Sequence, residues 1–254
     1  MNVLKMAETR KKLSEKLKQY RALKKQRGMT LLEIIIVLGI IGTIAAGVVI
    51  LAQRAYDNKA ISDLVSNTNT VRTAIKETYG PSGVYPAVDN AHTLALTEAN
   101  VTTVTGNDMP PIAALVQLGK LSTSESKNNI SSNFFNVGAA RIGTATGGGT
   151  NPGNRAYIVE VNGLDQKQCR NILLQTGNQW DFVEVHNTGG GSGSYTATNN
   201  IDLAGTATDP ATLNGGAQGV IRSLADGGNF TLTPQNVIGL CSDSAQNSIV
   251  LGSR

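Results

Sequence analysis

One carboxylate, Glu33, stands at the head of a run from Ile34 to Ala52 that contains no charged residue. An ionised acid in the middle of a membrane span costs ~2.5 to 3.5 kcal/mol on insertion scales, so such a residue needs a partner and marks a function. The stretch Gly28-Met29-Thr30-Leu31-Leu32-Glu33 offers one: a cut between Gly28 and Met29 would create a free amine four residues before the acid. The composition changes at that bond. Residues 1–28 carry ten Lys or Arg against Glu8 and Glu15, a net charge of +8, which leaves the other 226 residues twelve basic and sixteen acidic side chains, a net of −4. The high pI of the whole chain (≈ 9.1) therefore describes its leader. It does not mark the finished protein as a binder of nucleic acid or anionic lipid. Basic residues directly before a span hold that end in the cytoplasm.

Other readings of this segment fit less well. A secretory signal has an apolar core of ~7 to 15 residues before a small-residue cut site, for which Ala45-Ala46-Gly47 is a weak match. Here Met29 to Ala52 is 24 residues long, and ~20 suffice to cross a bilayer as a helix. An uncut signal anchor would leave Glu33 unexplained.

The element that must carry these residues is one long helix from 29 to 79. Its first half, 29–52, is apolar all round. In its second half, 53–80, Ile61, Leu64, Val65, Val71, Ala74, Ile75 and Tyr79 recur near 3.6-residue spacing, with Asp57, Lys59, Asp63, Arg72 and Lys76 between them. That pattern predicts a face packed on a globular domain. Gly80-Pro81 is expected to stop the helix in extended geometry. At ~1.5 Å per residue the helix would run about 75 Å, more than twice a bilayer's need. Thr30 and Thr43 are expected to hydrogen-bond back within it. Gly39, Gly42 and Gly47 are unusual in a span, and close packing or local loosening explains them equally well. Gly42 and Ala46 fit the small-xxx-small pattern.

Beyond Pro81 the composition is that of a single exported domain, 81–254, long enough to bury a core. Pro110-Pro111 before Ile112 to Leu118, with Gly119 after, predicts a short helix. Ala156 to Val161, Trp180 to Val185 and Ser248 to Leu251 read as strands. Asp165 with Gln168 three residues on predicts a capped helix that Gly177 ends. Helix, strand, helix, strand around one long helix predicts an α+β fold with an antiparallel sheet.

Gly28-Met29-Thr30-Leu31-Leu32-Glu33 followed by Ile34-Ile35-Ile36-Val37-Leu38-Gly39 resembles the prepilin signature of type IV pilins, in which a dedicated peptidase cuts after the Gly and methylates the new amino terminus. The long leader, Met as the new first residue and the large mature chain resemble the type IVb class. Over 29–53, and again around Val116-Gln117-Leu118-Gly119-Lys120 and the first cysteine, the chain is similar to the toxin-coregulated and longus groups of enteric pathogens; from Asn129 on the likeness is confined to the Cys-containing segments. It implies the type IV pilin fold, a long N-terminal α-helix packed on an antiparallel β-sheet head with a C-terminal disulfide-bounded region.

It also implies a helical homopolymer in which Glu33 pairs with the Met29 amine of an adjacent subunit, cancelling two charges costly to bury. Spacing alone leaves open pairing with the chain's own terminus, because i and i+4 share a helix face. The implied partners are a prepilin peptidase, an assembly ATPase with its inner-membrane platform, minor pilins and a secretin, with no nucleic acid. The implied course is from inner-membrane prepilin to surface fibres used for aggregation, adhesion and host colonisation. Cys169 and Cys241 are the chain's two cysteines, both on the exported side, where pairing is expected. In pilins that bridge bounds the D-region, here 169–241. Within it, Gly189-Gly190-Gly191-Ser192-Gly193-Ser194 reads as a flexible loop.

The residues do not read as catalytic, and no cofactor or metal is implied. His92 and His186 lack ligand spacing and read as surface residues. Gly147-Gly148-Gly149 lacks the strand and helix of a dinucleotide site. Two further functions share Glu33 or the span: a type II secretion pseudopilin, which the large head and long cysteine loop argue against, and an anchored binding protein that never polymerises.

Overall fold

The computed structural model describes residues 3–24, 30–143, 155–199, 201–213 and 218–254. Gly28, Met29 and the Gly147 to Gly149 run lie outside them. The chain divides into two compact units, Met1–Ala55 and Tyr56–Arg254. In the first, helix α1 covers Val3–Lys24, and helix α2, Leu31–Tyr79, begins and continues into the second.

In the second unit the amphipathic half of α2 buries Ile61, Leu64, Thr68, Val71, Ala74 and Ile75. These follow the three- and four-residue steps of one helix face, as the spacing predicted. Val65 and Tyr79 are half-buried at its border. Thr68 sits within the apolar series because its hydroxyl bonds to the Val65 carbonyl at 2.8 Å, leaving its methyl to pack. Arg72 ties this face to the head: its guanidinium donates to the Gln179 carbonyl at 2.9 Å and to Ser253 Oγ at 3.3 Å, and lies 4.7 Å over the Trp180 ring. Each fully buried large side chain contributes ~1.5 to 3 kcal/mol.

The helix stops differently from the expectation. Gly80 is not extended; Gly80–Ser82 forms a 3-10 turn around Pro81, and the reversal falls on Gly83 at φ 66°. Proline fits early in a helical turn because it has no N–H to satisfy there, and glycine supplies the left-handed residue. Two short helices follow, α3 (Asn90–Leu94) and α4 (Pro111–Gln117). The second starts on Pro111 and is followed by Gly119 at φ 69°, as the sequence predicted.

Among the described residues the sheet has five strands: β1 (Asn136–Ala140), β2 (Ala156–Leu164), β3 (Phe182–His186), β4 (Gly219–Arg222) and β5 (Asn247–Ser253). Their order is β1-β2-β5-β3-β4, every pair antiparallel. The C-terminal strand is thus the central one. Both faces are covered. Tyr157, Val159 and Val161 of β2 join the large core under α2, while Ala156 and Ile158 face a second cluster with Val88, Phe182, Ile201, Leu203 and Val250. Helix α5 (Gln166–Thr176) starts on Asp165 with the reciprocal Asp165–Gln168 cap. It ends at Gly177, but that residue has φ −58° and is not left-handed. Its lack of a side chain serves space, since a Cβ there would lie 2.4 Å from Leu232 Cδ1. The last helix is α6 (Pro234–Val237).

Candidate assembly and processing surface

Thr30 is the first described residue after Lys24, and it stands just outside α2. The Glu33 N–H donates to Thr30 Oγ1 at 3.2 Å and to the Thr30 carbonyl at 3.0 Å. Thr30 therefore caps the helix and does not bond back within it. Thr43 does bond back, to the Ile40 carbonyl at 2.9 Å. The signal for the cap was present in Thr30-Leu31-Leu32-Glu33, which has the S/T-x-x-E spacing of a helix start. Glu33 lies in the first turn, where a negative charge suits the positive end of the helix dipole.

From Leu31 to Leu51 the apolar side chains are exposed, Leu31 at 78% and Leu51 at 65%. The helix is long and apolar enough to cross a membrane. It remains α-helical through Gly39, Gly42 and Gly47, and a Cβ added at any of the three would meet nothing within 4 Å. The glycines open gaps along a surface made mostly of Ile, Val and Leu.

In the head, Cys169 and Cys241 form a disulfide with Cα atoms 6.2 Å apart. Both are buried. Gln166 Nε2 donates to the Cys241 carbonyl at 3.0 Å, and the Arg170 guanidinium to that of Ile238. An open groove of about 690 Å³ runs beside the bridge, lined by Gln166, Arg170, Leu213, Asn236, Ile238 and Asp243 among others.

The glycine-rich run 189–194 is not a free loop. Gly163 N–H donates to the Gly190 carbonyl at 2.7 Å, Asn162 Nδ2 to the carbonyls of Gly191 and Ser194, and Gly193 N–H to Asn133 Oδ1. Gly190 is buried, and a Cβ on it would sit 2.4 Å from Ser248 Cβ. The glycines let the backbone lie against the sheet. The anchor beyond them is Glu160 on β2, 1% exposed, which the sequence reading did not single out. Its carboxylate accepts from Thr196 N–H and Oγ1, both at 2.7 Å, from Ala197 N–H at 3.0 Å and from Asn136 Nδ2 at 3.1 Å. No lone residue in Ala-Tyr-Ile-Val-Glu-Val signals this, because the donors come from Asn136 on β1, 24 positions back, and from Thr196 and Ala197, 36 and 37 positions on.

Of the two histidines, His92 is on the surface as expected, its side chain 42% exposed, while His186 is half-buried. His92 lies between Asp89 (2.6 Å) and Asp108 (3.3 Å). The Asp89 hydrogen bond raises its pKa above the ordinary value, against the effect of burial and with help from both carboxylates. For His186, burial works to lower the pKa, and the hydrogen bond and charge of Glu184, with the charge of Glu160, raise it overall. Burial pushes Tyr157 up to about 12.

A chain with this capped apolar helix and this disulfide-closed antiparallel head matches known proteins along most of its length. The family model for the toxin-coregulated pilus subunit TcpA matches residues 114–250, and that for the prokaryotic N-terminal methylation motif matches residues 23–49. Toxin coregulated pilin of Vibrio cholerae serotype O1 is 36% identical over 230 residues, 90% of each chain. The chain belongs to the toxin-coregulated pilin family. A second Vibrio cholerae toxin coregulated pilin is 33% identical over 230 residues, again 90% of each chain. The crystal structure of TcpA, a type IV pilin from the El Tor biotype, superposes with a TM-score of 0.57 at 26% identity, covering 77% of this chain and 99% of that one. The type IV pilin fold expected from the sequence is thus the fold observed. The pseudopilin and non-polymerising alternatives are not favoured by these likenesses.

Proposed function

We propose that this pilin is the major prepilin of a type IVb pilus, made in the inner membrane, cut after Gly28, methylated on Met29 and polymerised into surface fibres. In this reading residues 1–28 are the removed leader. Residues 29–52 are anchor first and filament core later, 53–80 join that core to the head, and 81–254 form the exposed domain with 169–241 as its D-region. The observation that carries the proposal is the exposed Leu31–Leu51 surface headed by Glu33. Such a surface is stable in lipid, and outside lipid it needs the same surface on other copies. A head-to-tail contact that does not close gives an open filament.

Within that filament Glu33 pairs with the Met29 amine of a neighbour, fixing the axial position of one subunit against the next. Gly39, Gly42 and Gly47 provide either close approach or local loosening. The partners are a prepilin peptidase, an assembly ATPase and platform, minor pilins and a secretin, and the fibres serve aggregation, adhesion and colonisation. Electron microscopy of producing cells with antibody to the head, joined to a mass spectrum of the labelled material, tests this. Fibres whose subunit begins at methylated Met29 support it. Cell-bound monomer alone, or a subunit that keeps its leader, overturns it. In Gly28→Ala the leader should be retained on an immunoblot, and a mature-sized band would count against the cut.

A further inference from the structure

Along α2, Leu51 is the last exposed aliphatic side chain of the apolar run and Ile61 is the first buried residue. Between them stand Arg54 and Tyr56, both exposed, Tyr56 at 74%. Tyr56 is the one aromatic residue from 28 to 60, and Arg54 is the first basic residue after Arg27. The charges beside them face other side chains: Asp57 lies 3.6 Å from Lys167, and Lys59 holds Asp63 at 2.7 Å. By the 3.6-residue repeat Arg54 and Tyr56 point to different sides of the helix. A single span is surrounded by lipid on every side, however, so for its contacts with lipid only height along the axis matters. From Leu31 to Leu51 the helix rises ~30 Å, the thickness of a hydrocarbon core. Arg54 and Tyr56 follow Leu51 by ~4.5 and ~7.5 Å on the same helix, and a headgroup layer is ~5 to 7 Å thick. Helical side chains lean toward the N-terminus, which draws both tips back into that layer.

We propose that Arg54 and Tyr56 form a collar in the headgroup layer on the exported side of the membrane and that this collar fixes the depth of the span. The Arg54 guanidinium meets lipid phosphate while its stem lies along the acyl chains. The Tyr56 ring sits at the boundary with its hydroxyl in the wet layer, the place that tyrosine favours at membrane surfaces. The collar has a consequence at the other end of the helix. Glu33 comes two residues after Leu31 and so lies within ~3 Å of the cytoplasmic boundary, with its side chain leaning toward that boundary. The acid is therefore held at the edge of the bilayer and not in its middle, and the large cost of a buried charge arises only on assembly. The collar rests on the proposed membrane stage, with the N-terminal end cytoplasmic.

The test uses the full-length chain in vesicles of palmitoyl-oleoyl phosphatidylcholine, with one fluorophore-labelled cysteine in place of Leu32, Ile41 or Ala45. All three positions are exposed on α2. Cys169 and Cys241 are paired and do not compete for label. A nitroxide is carried either on the lipid headgroup or at the end of the acyl chain, and the ratio of the two quenching efficiencies reports depth. The Ile41→Cys label should be quenched several-fold more by the acyl-end nitroxide, and the Leu32→Cys label more by the headgroup nitroxide. Adding Arg54→Leu with Tyr56→Leu lengthens the apolar stretch on the exported side, so the span should slide toward the cytoplasm and the Ala45→Cys label should become the deepest. Arg54→Lys with Tyr56→Trp should restore the parent profile. A Leu32→Cys label as deep as the Ile41→Cys label, or a leucine double variant with the parent profile, overturns the collar and leaves the membrane anchor standing. An Ile41→Cys label quenched by neither nitroxide shows a chain that does not insert, and the proposed membrane stage then falls together with the collar.

Discussion

Glu33 has two relations at once, one to its own helix and one, as proposed, to a neighbouring chain. The first is visible in its N–H held by Thr30 and in its first-turn position. Glutamine keeps the size and the backbone hydrogen bond and removes the charge. Glu33→Gln should therefore insert and accumulate like the parent but fail to assemble, because a buried amine left without its partner costs ~3 to 5 kcal/mol. Fibre counts by microscopy against subunit abundance by immunoblot check this, and undiminished piliation would sink the pairing. His92 makes a different statement, about pH. Its pKa is raised in the folded head by Asp89 and Asp108, so its contribution is complete below the unfolded value of about 6.5 and is lost as pH rises through the higher folded value. His186 acts in the same direction. Glu98, lowered by its hydrogen bond and charge contact with Lys127, and Glu125, lowered by its hydrogen bonds to Ser122, act in a separate acid window, losing stability as pH falls. Urea midpoints, followed through buried Trp180, should fall modestly as pH rises past about 6.5, and the fall should be smaller in His92→Gln. An unchanged slope would remove His92 from the account.

Among the elements, the run 189–194 was most misread from sequence. Gly and Ser together ordinarily mean a flexible tether, yet here they are what allows the chain to lie on the sheet beneath the Glu160-bound residues 196–197. Gly190→Ala would place a Cβ 2.4 Å from Ser248 Cβ and 2.8 Å from the Ser248 backbone nitrogen. Neither neighbour is a free side-chain end, so the loop must move. The expected cost is ~1 to 3 kcal/mol of head stability, with faster proteolysis in 187–199; a variant as resistant as the parent would return the run to the status of a tether. Gly177 adds a tertiary role to a local one: α5 ends there as the sequence predicts, and the missing side chain also admits Leu232.

Across the whole molecule, the last strand in sequence is the middle strand of the sheet, and the bridge from Cys169 to Cys241 spans 72 positions just before it. The head therefore depends on contacts far apart in the chain, and closing such a loop in the unfolded state raises its free energy relative to the fold. Cys169→Ser should lose ~2 to 5 kcal/mol of stability, seen as lower subunit abundance and an earlier midpoint in denaturant. Unchanged protease resistance would refute that role.

The sequence by itself determined the parts whose physics is local. An apolar run with one acid at its head, a charge reversal at Gly28, a 3.6-residue stripe from Ile61 to Ile75 and the Asp165–Gln168 cap are set by neighbours within a turn or two. The prepilin likeness then supplied the fold. Tertiary structure alone decided the order β1-β2-β5-β3-β4, the covering of both sheet faces, the role of Glu160 and the docking of 189–194. These depend on groups far apart in the chain, such as Asn128 with the Asn162 carbonyl, 34 positions away, and Asn247 with that of Leu164, 83 positions away. A carboxylate or a glycine has the same local signature whether it faces water or a buried donor, and only the packed chain supplies the donor.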